Sequence, residues 1–118
     1  MRVLIAEDQK TVGDALADLV RHCQHEVVAV VPSGVEAVRA YTFYRPDVVL
    51  MDYAMPSLNG STASRIILAR HPTARIILVS GFSIIDLKSA GAMTILAKPV
   101  RLKRLEEALN AAVQSSPK

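Results

Sequence analysis

The stretch VVLMDYAMPSLNG, residues 48–60, decides the fold. Four apolar residues run straight into one carboxylate, Asp52, and the pattern then breaks at Pro56 and Gly60. An unbroken apolar run of this length reads as a strand buried on both faces, the mark of a parallel sheet covered by helices. Charge does not belong inside such a strand. Asp52 is therefore expected at its carboxyl end, where open parallel sheets hold their ligands.

Working outward, the strand reads DVVLM (47–51), and four similar runs flank it: RVLIA (2–6), EVVAVV (26–31), RIILVS (75–80) and MTILA (93–97). Helical spacing fills the intervals. Val12, Leu16, Leu19 and Val20 form one apolar stripe; Val35, Val38 and Tyr41 a second; Ala63, Ile66 and Ile67 a third; Leu102, Leu105, Leu109, Ala112 and Val113 the last. Residues 83–91, SIIDLKSAG, have room for about two turns of helix before Gly91 stops them. Strands alternating with helices imply βαβ units, hence a (βα)5 domain of three layers. One domain over residues 1–113 is expected, with QSSPK (114–118) as a tail or the start of a linker.

Composition narrows the function classes. The 118 residues are 51% hydrophobic and 21% charged, with a formal charge of +3. The basic residues form no single run and few aromatics could stack on bases, so direct nucleic-acid contact is not implied. Arg101, Lys103 and Arg104 read as a solvated helix face, and His22, His25 and His71 are too dispersed to ligate a metal together. A lone Cys23 excludes an internal disulfide. With no apolar run long enough to span a bilayer and no secretory leader, no membrane association and a cytoplasmic location are the expectation.

All strands of such a sheet end on one edge, so the polar residues after each strand meet there. Glu7 and Asp8 follow strand 1, Asp52 strand 3, Ser80 strand 4, and Lys98-Pro99 strand 5. Three crowded acids repel, which raises a proton affinity or recruits a cation. Oxygen-only ligands suit Mg2+. With the cation, Asp52 would be an ionised nucleophile toward a phosphoryl group, whose charge Lys98 offsets and whose oxygen Ser80 could hydrogen-bond. Each residue also has a plain structural alternative: Asp8 as helix N-cap, Ser80 as cap of a fourth helix, Pro99 in the first turn of the last helix.

EDQ after strand 1, MDYAMPSLNG after strand 3, SG after strand 4 and AKP after strand 5 together resemble the receiver domain of bacterial two-component response regulators. The resemblance implies a flavodoxin-like fold with strand order 2-1-3-4-5. It implies that Asp52 accepts a phosphoryl group from a histidine kinase or phosphotransfer protein, with Mg2+ held by Asp8, Asp52, Glu7 through water and the Ala54 backbone carbonyl. Lys98 would pair with the phosphoryl group, Ser80 would be the switch hydroxyl, and the Lys98-Pro99 peptide would be cis. An output domain or effector protein, and a homodimer, are the further partners it implies.

Two positions depart from the family pattern. Ile95 stands where the switch partner of Ser80 is usually Tyr or Phe, and an aliphatic side chain can bury in either state. The stretch from Ser80 to Lys98 is about one helical turn shorter than usual, so the fourth helix is expected to be short or irregular. Ala54 and Phe82 flank the phosphorylation position. Two competing functions follow from the same residues. A degenerate receiver would act as a constitutive adaptor, and an aspartyl-phosphate phosphatase would need a second Asp two residues after Asp52, where Ala54 stands.

Overall fold

The computed structural model describes residues 1–81 and 91–114. Five parallel strands, β1 (Arg2–Ala6), β2 (Glu26–Val31), β3 (Val48–Asp52), β4 (Ile76–Ser80) and β5 (Thr94–Ala97), form one sheet in the order β2-β1-β3-β4-β5. Four helices are described: α1 (Lys10–His22), α2 (Gly34–Tyr44), α3 (Gly60–Arg70) and α4 (Leu102–Gln114). The short helix expected at 83–91 and the setting of Phe82 lie outside the described residues, as does the tail beyond Gln114.

Alternation along the strands sorts the core into two layers. Val3, Ile5, Leu50, Ile77 and Val79 point to the face covered by Leu16, Ala17 and Val20 of α1 and Leu105, Leu109 and Ala112 of α4. Leu4, Val49, Met51 and Leu78 point to the other face, under Ala37, Val38 and Tyr41 of α2 and Ala63 and Ile67 of α3. Burying both faces explains why β3 and β4 carry no polar residue before their last position.

The structure moves several boundaries. Asp52 is the last residue of β3 rather than the residue after it, paired across to Val79. The N-cap of α1 is Gln9, not Asp8, and no side chain caps that helix end. Pro99 is not in the first turn of the final helix, which begins at Leu102. That helix also takes Gln114, the first residue of the expected tail. Ser33 and Asn59 do cap α2 and α3, accepting from the backbone N–H of Glu36 and Thr62.

Candidate phosphoacceptor site

β1 and β3 are neighbours in the centre of the sheet, so their carboxyl ends lie side by side. The first residue past β1, Glu7, is held by its own N–H to the Val31 carbonyl at 2.9 Å. Its side chain is buried: Oε2 accepts from the Gln9 backbone N–H at 3.1 Å and Oε1 from Lys98 Nζ at 3.0 Å. Asp52 is equally enclosed, 3% exposed, with Oδ1 also 3.0 Å from Lys98 Nζ. Asp8 is exposed beside them. One carboxylate oxygen from each of Glu7, Asp8 and Asp52 lies within 4.8 Å of the others.

Lys98 is carried in by β5. Its backbone N–H donates to the Ser80 carbonyl at 3.0 Å, which registers the end of β5 against the end of β4. The Lys98-Pro99 peptide is cis, as the resemblance implied. Ser80, the last residue of β4, is 3% exposed at the same edge.

Electrostatics follow from this enclosure. Burial pushes the Glu7 carboxyl above its usual range; the Asp52 charge adds to this, and the Gln9 N–H and Lys98 oppose it. For Lys98 burial acts to lower the pKa, but hydrogen bonds to Glu7 and Asp52 outweigh it and the ammonium is held above its ordinary value. One cation thus serves two buried acids, with Asp8 as a third acid in reach. That imbalance, and an all-oxygen donor set on adjacent loops, fits a hard divalent cation such as Mg2+.

The loop between β3 and α3 is shaped by two glycines. A Cβ on Gly60 would overlap the backbone oxygen of Asp52, and one on Gly34 would overlap that of Leu58. Gly60 N–H donates to the Tyr53 carbonyl at 2.7 Å, while Ser57 takes a φ of 71° between Pro56 and Leu58. This pins the Ala54-to-Leu58 turn immediately beside Asp52, with Ala54 exposed in it.

Glu7, Asp8, Asp52, Ser80 and Lys98 therefore share one edge, as the topology requires. Ile95 does not join them: it sits three residues before Lys98 on β5, opposite Leu78, with 46% of its surface exposed. Two contributors leave no mark in the residue pattern. The Gln9 N–H is a backbone group and carries no residue signal. The packing of Gly34 on Leu58 depends on tertiary contact.

Comparison with known proteins agrees with this geometry. The family model for the response regulator receiver domain matches residues 3–110. The chemotaxis protein CheY of Thermotoga maritima is 36% identical over 113 residues, covering 92% of this chain and 94% of that protein. A receiver domain protein from Clostridium thermocellum superposes with a TM-score of 0.89 at 28% identity, covering 96% of this chain and 94% of that one. The receiver domain of a sensor histidine kinase from Pseudomonas aeruginosa, solved with a magnesium ion coordinated in its active-site cleft, gives 0.89 at 28% identity over 97% of this chain and 98% of that one. With its strand order, its acid pair beside Asp52 and its cis Lys98-Pro99 all in place, the chain belongs to the response regulator receiver domain family.

Proposed function

We propose that Asp52 is the phosphoacceptor and that Glu7, Asp8 and Asp52 hold Mg2+ for the transfer, Glu7 through water and the Ala54 carbonyl as a further ligand. The carrying observation is Asp52 itself: a nearly enclosed carboxylate with its oxygen 3.0 Å from the Lys98 ammonium and two further acids beside it. When bound, the cation neutralises the acids and the incoming phosphoryl oxygens. An Asp52 oxygen attacks the phosphorus of a phosphohistidine; the new O–P bond forms as the P–N bond breaks, and the histidine nitrogen keeps that electron pair. Lys98 then exchanges a carboxylate partner for a phosphoryl oxygen. Ser80 turns its hydroxyl toward the phosphoryl group, and with Ile95 forms the switch that couples phosphorylation to β5 and α4.

The donor is a histidine kinase or phosphotransfer protein. An apolar cavity of about 450 Å³ between α1 and the Lys98–Val100 segment, lined by Val12, Leu16, Leu19 and Pro99, gives it a surface beside the site. The output is an effector protein or an attached domain, with residues 1–113 acting as the receiver unit in the cytoplasm. Among the described residues no helix is long and apolar enough to cross a membrane.

The test is intact-mass measurement after incubation with acetyl phosphate, with and without Mg2+, on wild type and Asp52→Asn. A single phosphoryl adduct requiring both Mg2+ and Asp52 is the expected result. If neither an adduct nor beryllofluoride binding is found, the constitutive adaptor replaces this reading; exposed Met93, Ile95 and Leu102 on the β5 and α4 side are the surface that would favour it.

A further inference from the structure

The turn that follows Asp52 is held from outside its own loop. Leu58 N–H donates to the Pro56 carbonyl at 2.7 Å, closing a three-residue turn around Ser57, whose φ is 71°. A γ-turn with positive φ at its centre is a strained conformation for a residue that carries a side chain. Such strain persists only where the surroundings fix it. The fixing contact comes from α2, an element that carries none of the site's acids, its lysine or its hydroxyl. Gly34, the first residue of α2, lies close against Leu58. A Cβ on it would overlap the Leu58 carbonyl oxygen and stand 2.8 Å from both the carbonyl carbon and the Cβ of that residue. The Leu58 carbonyl thereby rests against the positive end of the helix.

We propose that Gly34 is a positioning residue for the Mg2+ site, setting the Ala54 carbonyl by seating Leu58 on the end of α2. The inference deepens the phosphoacceptor reading and rests on it, since it takes the Ala54 carbonyl as a ligand. Tyr53 is anchored on one side of Ala54: its N–H donates to the Val79 carbonyl at 2.9 Å and its carbonyl accepts from Gly60 N–H at 2.7 Å. Leu58 is anchored on the other side by Gly34, and its bond to Pro56 carries that anchor back two residues. Pro56 has a fixed φ, and Met55 is held in the core at 8% exposure. Ala54 is left between fixed neighbours, which dictate where its carbonyl points.

A side chain at position 34 would have to push Leu58 outward by about 1 Å to reach ordinary contact distance. Mg2+ tolerates little of this, because it requires near-ideal octahedral geometry with ligands at about 2.1 Å. If Gly34 instead served packing alone, substitution would cost stability and leave metal affinity unchanged.

Titration of the chain with Mg2+, followed by the amide nuclear magnetic resonance signals of Tyr53, Ala54 and Leu58, tests this. In EDTA, Gly34→Ala should shift those signals before any metal is added. Its Kd for Mg2+ should rise by about tenfold or more, the loss typical where a group supporting a metal ligand is disturbed. Phosphorylation by acetyl phosphate should slow at low Mg2+ and recover to within about threefold at saturating Mg2+, since Asp52 and Lys98 are untouched. Val38→Ala is the control. Val38 faces the core from the same helix at 8% exposure, so this change weakens the fold without reaching Leu58, and the Kd should stay within about twofold of wild type. Leu58→Gly loosens the same seat from the loop, at a half-buried position, and should raise the Kd by about threefold or more even where Gly34→Ala fails to fold. A Kd unchanged in both Gly34→Ala and Leu58→Gly, or raised as much by Val38→Ala, overturns the proposal. A wild-type chain that binds no Mg2+ overturns the metal reading itself and this inference with it, an outcome distinct from the first.

Discussion

β3 and β5 each deliver one charge to the same site from opposite surroundings. β3 has a strand on either side and helices on both faces, and all five of its residues are buried, Asp52 included. β5 is the four-residue rim of the sheet, paired only to β4, with Leu96 its one buried residue. The carboxylate is therefore carried by a central strand buried along its whole length. The ammonium arrives on a flexible four-carbon stem whose side chain keeps 27% exposure. A nucleophile gains from being held still, since attack geometry is part of the barrier. A counter-ion that must leave one acid for a phosphoryl oxygen gains from reach.

The sharpest way to break this comparison is to truncate one apolar residue on each strand. Leu50 is 1% exposed between the central strands and α1 and α4, so Leu50→Ala should cost about 3 to 4 kcal/mol through lost transfer energy and the cavity left behind. Ile95, 46% exposed on the rim, should lose under about 1 kcal/mol on the same change. Urea unfolding with unchanged slopes measures both. Equal losses would mean that β5 is packed as firmly as β3, and the contrast would fail.

A smaller effect is expected from the charge that β5 brings. Lys98→Met leaves Glu7 and Asp52, with side chains 0% and 4% exposed, without the ammonium between them. Removing one partner of a fully buried pair costs about 3 to 5 kcal/mol. Solvent reaches the Lys98 stem, so about 1 to 2 kcal/mol is expected in the absence of divalent cations. Millimolar Mg2+ should return most of that loss and raise the melting temperature of the variant more than that of wild type, because both cations answer the same negative charge. A variant that Mg2+ does not rescue would separate the Lys98 site from the proposed metal site.

The sequence carried the sheet because β-branched runs at regular spacing leave one topology that buries both faces. It carried the acids and the lysine because strand ends are legible, and parallel strands all end on one edge. It misplaced contributions that depend on local backbone geometry. Asp8 has the residue type of an N-cap, yet the chain enters α1 one residue later, so Gln9 takes that position and Asp8 is left facing the other acids. Pro99 has the residue type of a first helical turn, but α4 begins only at Leu102, which leaves it outside the helix. The Glu7–Lys98 pair spans nearly the whole chain, and no local pattern announces it.

The finest test of the comparison is alkaline titration. Lys98 is held above the ordinary lysine value of 10.5 by its two carboxylate partners. An amine with a raised pKa binds its proton more tightly in the folded state, so its contribution is complete below the unfolded value and is lost as pH rises through the folded one. The stability difference between wild type and Lys98→Met, without divalent cations, should therefore be flat up to about pH 10 and shrink above it, by under about 1 kcal/mol in all. At the acid end the same difference should begin to close above pH 4.5, since burial raises the Glu7 pKa from that value and protonation removes one of the two partners of Lys98. A difference that instead persisted unchanged at both ends would assign the cost of Lys98→Met to lost packing of the stem, and the rim strand would then contribute contact rather than charge.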